Sequence, residues 1–146
     1  MEPVKPQTFS VRHAAWEKES PALRRIRNAV FVMEQQVPED EEWDELDVAC
    51  LHALALDRDG APIGTGRLAP DGKIGRMAVL KEWRGTGVGA AILESLMNAA
   101  RARGMRECHM HAQSHALAFY ARHGFESQGD EFLEAGIPHR RMRRRL

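Results

Sequence analysis

The stretch Arg84-Gly85-Thr86-Gly87-Val88-Gly89-Ala90 holds the residue types and spacing that most directly suggest chemistry. It follows an apolar run and opens a helical one. Glycines let the backbone turn tightly and let amide N–H groups approach a ligand with no Cβ in the way. The first N–H groups of a helix lack internal partners and lie at its positive end. Together these features suit an anion such as a pyrophosphate, and Arg84 adds a fixed positive charge beside it. Gly85-x-Gly87-x-x-Ala90 also fits a variant dinucleotide fingerprint. That fingerprint wants its first glycine directly after a strand and an acid at the end of the next one, about 20 residues on. Here Lys81-Glu82-Trp83-Arg84 intervene, and Glu107 precedes the next strand rather than ending it. Nicotinamide is therefore the poorer ligand. A P-loop is excluded, because no Gly-Lys-Ser/Thr follows.

Other titratable residues are grouped more loosely. His109-x-His111, near Cys108 and His115, puts two imidazoles on one strand face. No second ligand pair at zinc spacing accompanies them, and no metal site is expected. Glu39-Asp40-Glu41-Glu42-Trp43-Asp44-Glu45-Leu46-Asp47 is an acidic run, read as a solvated loop or as a negative rim for a cationic ligand. Arg140-Arg141-Met142-Arg143-Arg144-Arg145 is basic and is read as a solvated edge strand and tail. Across the 146 residues, 21 Lys and Arg balance 21 Asp and Glu, so nothing global argues for nucleic acid. No apolar run reaches the roughly 20 residues of a membrane helix, and the first residues lack a signal-peptide core. Two cysteines, Cys50 and Cys108, make no disulfide framework and point to a reducing cytoplasm.

The elements that must position these residues follow from periodicity and punctuation. The length suits one domain over residues 1–146. Pro3 and Pro6 suggest an extended lead-in. Ser20-Pro21 reads as an N-cap and first helical residue, and Leu23, Ile26, Val30 and Phe31 continue a helix over residues 21–34. Residues 50–56, 63–68 and 73–80 read as a three-strand meander with turns at Asp57-Arg58-Asp59-Gly60 and Pro70-Asp71-Gly72. A helix is expected over 90–103, with Ile92, Leu93, Leu96, Ala99 and Ala100 as its apolar stripe and Gly104 closing it. A strand over 107–111, a helix over 115–123, and strands around Phe125 and over 139–144 complete the chain. Strands first and mixed elements later imply an α/β (α+β) fold: a mixed, mostly antiparallel sheet with helices on its faces.

At this point a resemblance becomes visible. Arg84-x-x-Gly87-x-Gly89, preceded by Met77-Ala78-Val79, resembles the acyl-CoA signature of the GCN-five-related N-acetyltransferases, the GNAT proteins. The stretch from Gln113 through Tyr120 to Gly124-Phe125 resembles that family's second motif, Asn-x-x-Ala-x-x-x-Tyr-x-x-x-Gly-Phe. Val30-Phe31-Val32-Met33-Glu34-Gln35 and the stretch from Glu131 to His139 are similar to a small bacterial subgroup of mostly uncharacterised members. The resemblance implies a GNAT-like sheet with acetyl-CoA as cosubstrate. It places the pantetheine arm along Met77, Ala78 and Val79, and the pyrophosphate on Arg84, Gly85, Thr86, Gly87, Val88, Gly89 and Ala90. Gln113 stands at the pantetheine-contacting position, where many relatives carry asparagine. Tyr120 matches the acid that protonates the departing thiolate.

Acetyl transfer also needs a proton acceptor for the amine. Glu34, at the end of the first helix, is one candidate. His111, near a strand end, is another, histidine being the residue type most often suited to this task. His139, in the Gly136-Ile137-Pro138-His139 turn, is a substrate-site candidate beside it. The expected function is an N-acetyltransferase that moves acetyl from acetyl-CoA to a primary amine by direct attack. The alternative is a non-catalytic acyl-CoA-binding regulatory module on the same fold. The expected partner is a small-molecule or protein amine, with no nucleic acid and no membrane, and a homodimer is one assembly open to it.

Overall fold

The computed structural model describes residues 8–146. The lead-in read at Pro3 and Pro6 lies outside the described residues. The first sheet has the strand order β1 (Phe9–Ala14), β2 (Leu51–Asp57), β3 (Pro62–Leu68) and β4 (Ile74–Val79), antiparallel throughout. The second has the order β5 (Glu107–Gln113), β7 (Ile137–Arg145) and β6 (Glu126–Glu134), also antiparallel. The meander read from the turns is therefore present, with β1 added at its edge. β1 alternates partly buried and exposed residues and carries Arg12 and His13, so its apolar signal was weak. The basic run lies on β7, which is the central strand of its sheet and not an edge. Met142 points into the core; Arg141, Arg143 and Arg145 are exposed, while Arg140 and Arg144 are half-buried and Arg144 reaches the buried Met97 sulfur at 3.1 Å.

The two sheets meet at one end only. Lys73 and His109 form a single parallel bridge, and the His109 N–H donates to the Gly72 carbonyl at 3.2 Å. A Cβ on Gly72 would lie 2.8 Å from the Glu107 carbonyl oxygen, so this close approach requires glycine. Beyond the bridge, β4 and β5 part and leave a cleft between their edges.

Strand β2 has both faces covered, which is why it reads as a continuous apolar run. Ala53 and Ala55 pack under helix α3 (Val88–Ala102), and Leu54 packs under helix α1 (Trp16–Arg27). The stripe predicted for α3 is buried: Ile92, Leu93, Leu96 and Ala100 are each 0% exposed. Met105 N–H donates back to the Ala100 carbonyl at 3.0 Å past a left-handed Gly104, which closes the helix as read.

Helix α1 departs from the reading. It starts at Trp16, with Ala15 as an N-cap that offers no side chain, and Pro21 lies inside it. Pro21 loses only one of the earliest intrahelical bonds there. Packing at the start compensates: Trp16 stacks with His52 at 5.2 Å and lies beneath Arg24 and Arg27. After Arg27 the coil widens into a π-helical segment, Asn28–Glu34, whose next N–H, that of Gln35, reaches back to the Val30 carbonyl. Such widening is often found at functional sites.

The acidic run is not a plain solvated loop. It forms helix α2 (Glu39–Glu42) and a 3-10 turn, Glu45–Val48. Glu42 and Asp47 are 3% and 1% exposed. Buried Arg27 holds Glu42 at 2.6 Å and Asp47 at 2.8 Å, while Arg67 holds Asp44 and Asp47, both at 2.8 Å. Arg76 completes the cluster, 3.2 Å from Asp44. Arg76 has φ +51, at a bulge where the β3–β4 register shifts. Trp16 and Trp43 both flank the Arg27 guanidinium, with Trp43 5.0 Å away. Three of the run's seven acids, Glu42, Asp44 and Asp47, are thus matched by three arginines, while Glu39, Asp40, Glu41 and Glu45 stay exposed.

Helix α4 (Leu117–Arg122) follows a 3-10 turn, Ser114–Ala116. Phe125 N–H donates to the Tyr120 carbonyl past a left-handed Gly124.

Candidate active site

The cleft between the sheets has a volume of about 1310 Å³. Its walls come from the free edge of β4, the turn before α3, the end of β5, helix α4, the facing pair formed by the π-helical segment and the β6–β7 hairpin, and the acidic run with the end of β3, at Glu41, Glu42, Asp44 and Arg67.

At the turn, a 3-10 segment, Lys81–Trp83, separates β4 from the glycines. Gly85 has φ +77 and Gly87 has φ +94, and a Cβ at either would meet nothing within 4 Å. Packing therefore does not demand glycine there; the backbone conformation does, and the space above it is open. Gly87 is the N-cap of α3 and supplies no capping side chain. The first-turn amides of a 15-residue helix are left pointing into that space. A diphosphate fits these donors and this opening.

The remaining residues of the turn divide. Gly85, Gly87, Gly89 and Ala90 line the cleft. Thr86 and Val88 do not: the Thr86 hydroxyl donates to the Trp83 carbonyl, and the Val88 side chain is wholly buried in the core. Their backbone amides are what these two positions offer to the turn. Met77, Ala78 and Val79 line the cleft along the β4 edge that has no neighbouring strand.

Arg84 and Glu34 face the cleft as expected, but they are joined. Arg84 Nη1 and Nη2 donate to Glu34 Oε2 and Oε1, each at 2.6 Å, and Nε donates to the Val79 carbonyl at 3.1 Å. The hydrogen bonds from Arg84 hold the Glu34 carboxyl below the usual carboxylate range. While Arg84 holds it, both Glu34 oxygens are occupied and its basicity is reduced.

Gln113 pairs with Gln35 through reciprocal amide hydrogen bonds of 3.1 and 2.9 Å. The pair joins the end of β5 to the π-helical segment. Tyr120 is 8% exposed, packed edge-on against Phe119 and Phe125, and lines the cleft. Burial pushes its phenol up to about 12. It therefore keeps its proton at neutral pH.

His111 and His139 come together through a residue the sequence reading missed. Glu134 Oε1 lies 2.9 Å from His111 Nδ1, and Glu134 Oε2 lies 3.6 Å from His139 Nε2. His139 Nδ1 donates to the Ile137 carbonyl at 2.6 Å. Phe132 lies between the rings, edge-on to His111 and stacked on His139. The signal was the hairpin: Ala135 and Gly136 both have positive φ, as a tight two-residue turn requires. That turn sets Phe132 opposite His139 and Glu134 opposite Ile137. His109 lies apart, 3.8 Å from Asp71. Among the described residues, no group of three or more His, Cys, Asp or Glu is placed to hold a metal ion. No helix among them is long and apolar enough to cross a membrane.

The profile of the acetyltransferase (GNAT) domain matches residues 19–146 of the chain. The Bacillus subtilis protein YjcF, an uncharacterised N-acetyltransferase, is 41% identical over 80% of this chain and 86% of its own. The crystal structure of an acyl-CoA N-acyltransferase from Pseudomonas aeruginosa superimposes with a TM-score of 0.80 at 34% identity, covering 94% of this chain and 99% of that one. A PaiA N-acetyltransferase from Thermoplasma acidophilum, solved in complex with coenzyme A, has a TM-score of 0.73 over 95% of this chain and 99% of its own. At 14% identity it speaks for the fold alone.

Proposed function

The chain belongs to the GNAT family of acetyltransferases, and from that premise we propose that it moves an acetyl group from acetyl-CoA to a primary amine by direct attack, with no covalent enzyme intermediate. One juxtaposition carries the reading. The open glycine turn at the uncapped start of α3 and the unpaired edge of β4 face the same cleft as Tyr120 and His111.

When bound, acetyl-CoA supplies the acyl group already activated as a thioester. The backbone amides of residues 85–90 would receive its diphosphate, and Arg84 would add charge there once it lets go of Glu34. The β4 edge at Met77, Ala78 and Val79 would pair with the pantetheine arm as an added strand. A backbone N–H on that edge would donate to the thioester oxygen, where negative charge develops. Gln113, held by Gln35, borders the same arm. Tyr120 holds its proton until charge develops on sulfur. A phenol near 12 lies well above a simple thiol, near 8.5, so ground-state transfer would be uphill by roughly 5 kcal/mol. The hydroxyl therefore first donates a hydrogen bond and gives up its proton as the C–S bond breaks.

The acceptor is a small-molecule or protein amine. Arginines neutralise Glu42, Asp44 and Asp47, which leaves Glu41 as the acid of the run that faces the cleft without an arginine and favours a cationic amine. Both cysteines are buried and unpaired, in keeping with a reducing, cytoplasmic setting. Two measurements test the reading. Acetyl-CoA should raise the thermal midpoint more than NAD does, by the equivalent of about 2.7 kcal/mol at 100 Kd. A panel of primary amines should then release free thiol from it. Stabilisation by acetyl-CoA with no thiol release would favour the non-catalytic acyl-CoA-binding module.

A further inference from the structure

Building on the transferase reading, we infer that His111 takes the acceptor's proton and that Glu134, on the β6–β7 hairpin, is the positioning residue that readies it. Hydrogen placement decides which ring nitrogen can act. An ionised carboxylate can only accept, so at 2.9 Å from Glu134 Oε1 the His111 Nδ1 must be the donor. A neutral His111 then has its lone pair on Nε2, which is the form a base needs. The ring itself lines the main cleft, together with Tyr120 and the β4 edge. Its orientation is further fixed by the edge-on contact with Phe132 at 5.0 Å. Glu134 also lines the cleft and is held below the ordinary carboxylate range by its hydrogen bond to His111, against the opposing effect of burial. It stays charged at neutral pH and favours the imidazolium that proton uptake creates.

Among the other carboxylates that line the cleft, Glu42 and Asp44 are paired with arginines, and Glu34 is held by Arg84 until that guanidinium turns to the diphosphate. His139 keeps the same Nε2 lone pair but is the less accessible ring, at 6% exposed, and is set behind Glu134 and Phe132. The charged groups facing His111 are Glu134 and His139 from the hairpin, Arg141 opposite it on β7, and Lys73, Asp71 and His109 along a small polar recess behind it. Glu134 is the one among them bonded to the ring.

The step balances as follows. The amine nitrogen's electron pair forms the new C–N bond, and the pair of the broken C–S bond leaves on sulfur. His111 Nε2 takes the N–H proton, and Tyr120 gives its proton to the sulfur. The imidazolium then loses its proton to solvent, from which Tyr120 is reprotonated.

Two readouts test this, one independent of turnover. Imidazole ¹⁵N spectra of the protein without acetyl-CoA should show neutral His111 as the Nδ1–H tautomer. That tautomer should persist in Glu134→Gln, whose amide oxygen still accepts, and give way to a mixture in Glu134→Ala. With acetyl-CoA and a panel of primary amines that includes benzylamine and spermidine, His111→Gln should lower kcat by about 10²–10⁴-fold with acetyl-CoA Kd little changed. Glu134→Gln should move the acid limb of the kcat–pH profile to lower pH and lower its plateau, since it removes the charge that favours imidazolium. Glu134 is 45% exposed at its side chain, so its variants are not expected to threaten folding. Turnover within threefold of wild type in His111→Gln, or an unmoved acid limb in Glu134→Gln, overturns the inference and leaves the transferase reading standing. Acetyl-CoA binding by wild type with no thiol release for any amine overturns both.

Discussion

Replacing Glu34 with glutamine should tighten acetyl-CoA binding, although it removes a charged residue from the cleft wall. Arg84 now spends both terminal nitrogens on Glu34 at 2.6 Å. A diphosphate in the glycine turn must draw that guanidinium away, so the pair opposes binding by its own strength. The partners' side chains are 41% and 38% exposed, which puts the pair in the range of surface ion pairs, about 0.2–1 kcal/mol, with the two-pronged geometry favouring the upper end. Releasing Arg84 in advance should therefore lower Kd by about two- to fivefold. Removing a negative charge near the diphosphate acts in the same direction. Calorimetric titration of wild type and Glu34→Gln with acetyl-CoA at two salt concentrations reads this directly, and the gap should narrow at higher salt. Arg84→Ala should weaken binding, and adding Glu34→Gln to it should recover little, because the released partner is gone. Weaker binding in Glu34→Gln would refute the reasoning: the pair would then be holding Arg84 in place for the cofactor.

Other outcomes follow from the same geometry. Gly87→Asp should abolish acetyl-CoA binding by calorimetry while the far-ultraviolet spectrum stays native, because φ +94 disfavours a side chain by about 1–2 kcal/mol and the new carboxylate occupies the anion site. Tyr120→Phe should lower kcat by up to about 10²–10⁴-fold and leave acetyl-CoA affinity nearly unchanged; an unaltered kcat when chemistry limits the rate would reduce Tyr120 to packing. Arg27→Leu should cost about 3–5 kcal/mol in urea unfolding, because it leaves Glu42 and Asp47 buried without their partner. Asp44 is held down to about 2 by its hydrogen bond to Arg67, so the unfolded chain takes up that proton first. The stabilisation from this residue is full above the unfolded value near 4 and should be lost as pH falls toward 2, a loss that Asp44→Asn should remove.

The parts legible in the sequence were those fixed by local rules. Helix α3 announced itself by the spacing of Ile92, Leu93 and Leu96, and its start by Gly85 and Gly87, whose open, left-handed geometry needs no distant partner to explain it. The cleft-lining positions of Tyr120 and Gln113 followed from motif spacing. What was hidden depends on partners far apart in the chain. Glu42 and Asp47 look like solvated acids until Arg27, Arg67 and Arg76 arrive from α1, β3 and β4. Glu34 looks free until Arg84, 50 residues on, closes over it. Helix α1 starts before the Ser20-Pro21 signal because Trp16 packs on His52, a contact invisible to local propensity. Glu134 was closest to being readable: a tight turn at Ala135-Gly136 folds Glu134 back beside the strand that carries His139.

The central claim is that this cleft performs transfer and does more than hold an acyl-CoA. The most direct test follows thiol release from acetyl-CoA across a panel of primary amines, with mass detection of the acetylated amine in the same samples. For at least one amine, thiol and acetylated product should appear in equal amounts with wild type, and both should vanish with Gly87→Asp. Tight acetyl-CoA binding by wild type, with no amine raising thiol release above the enzyme-free rate, would contradict that claim.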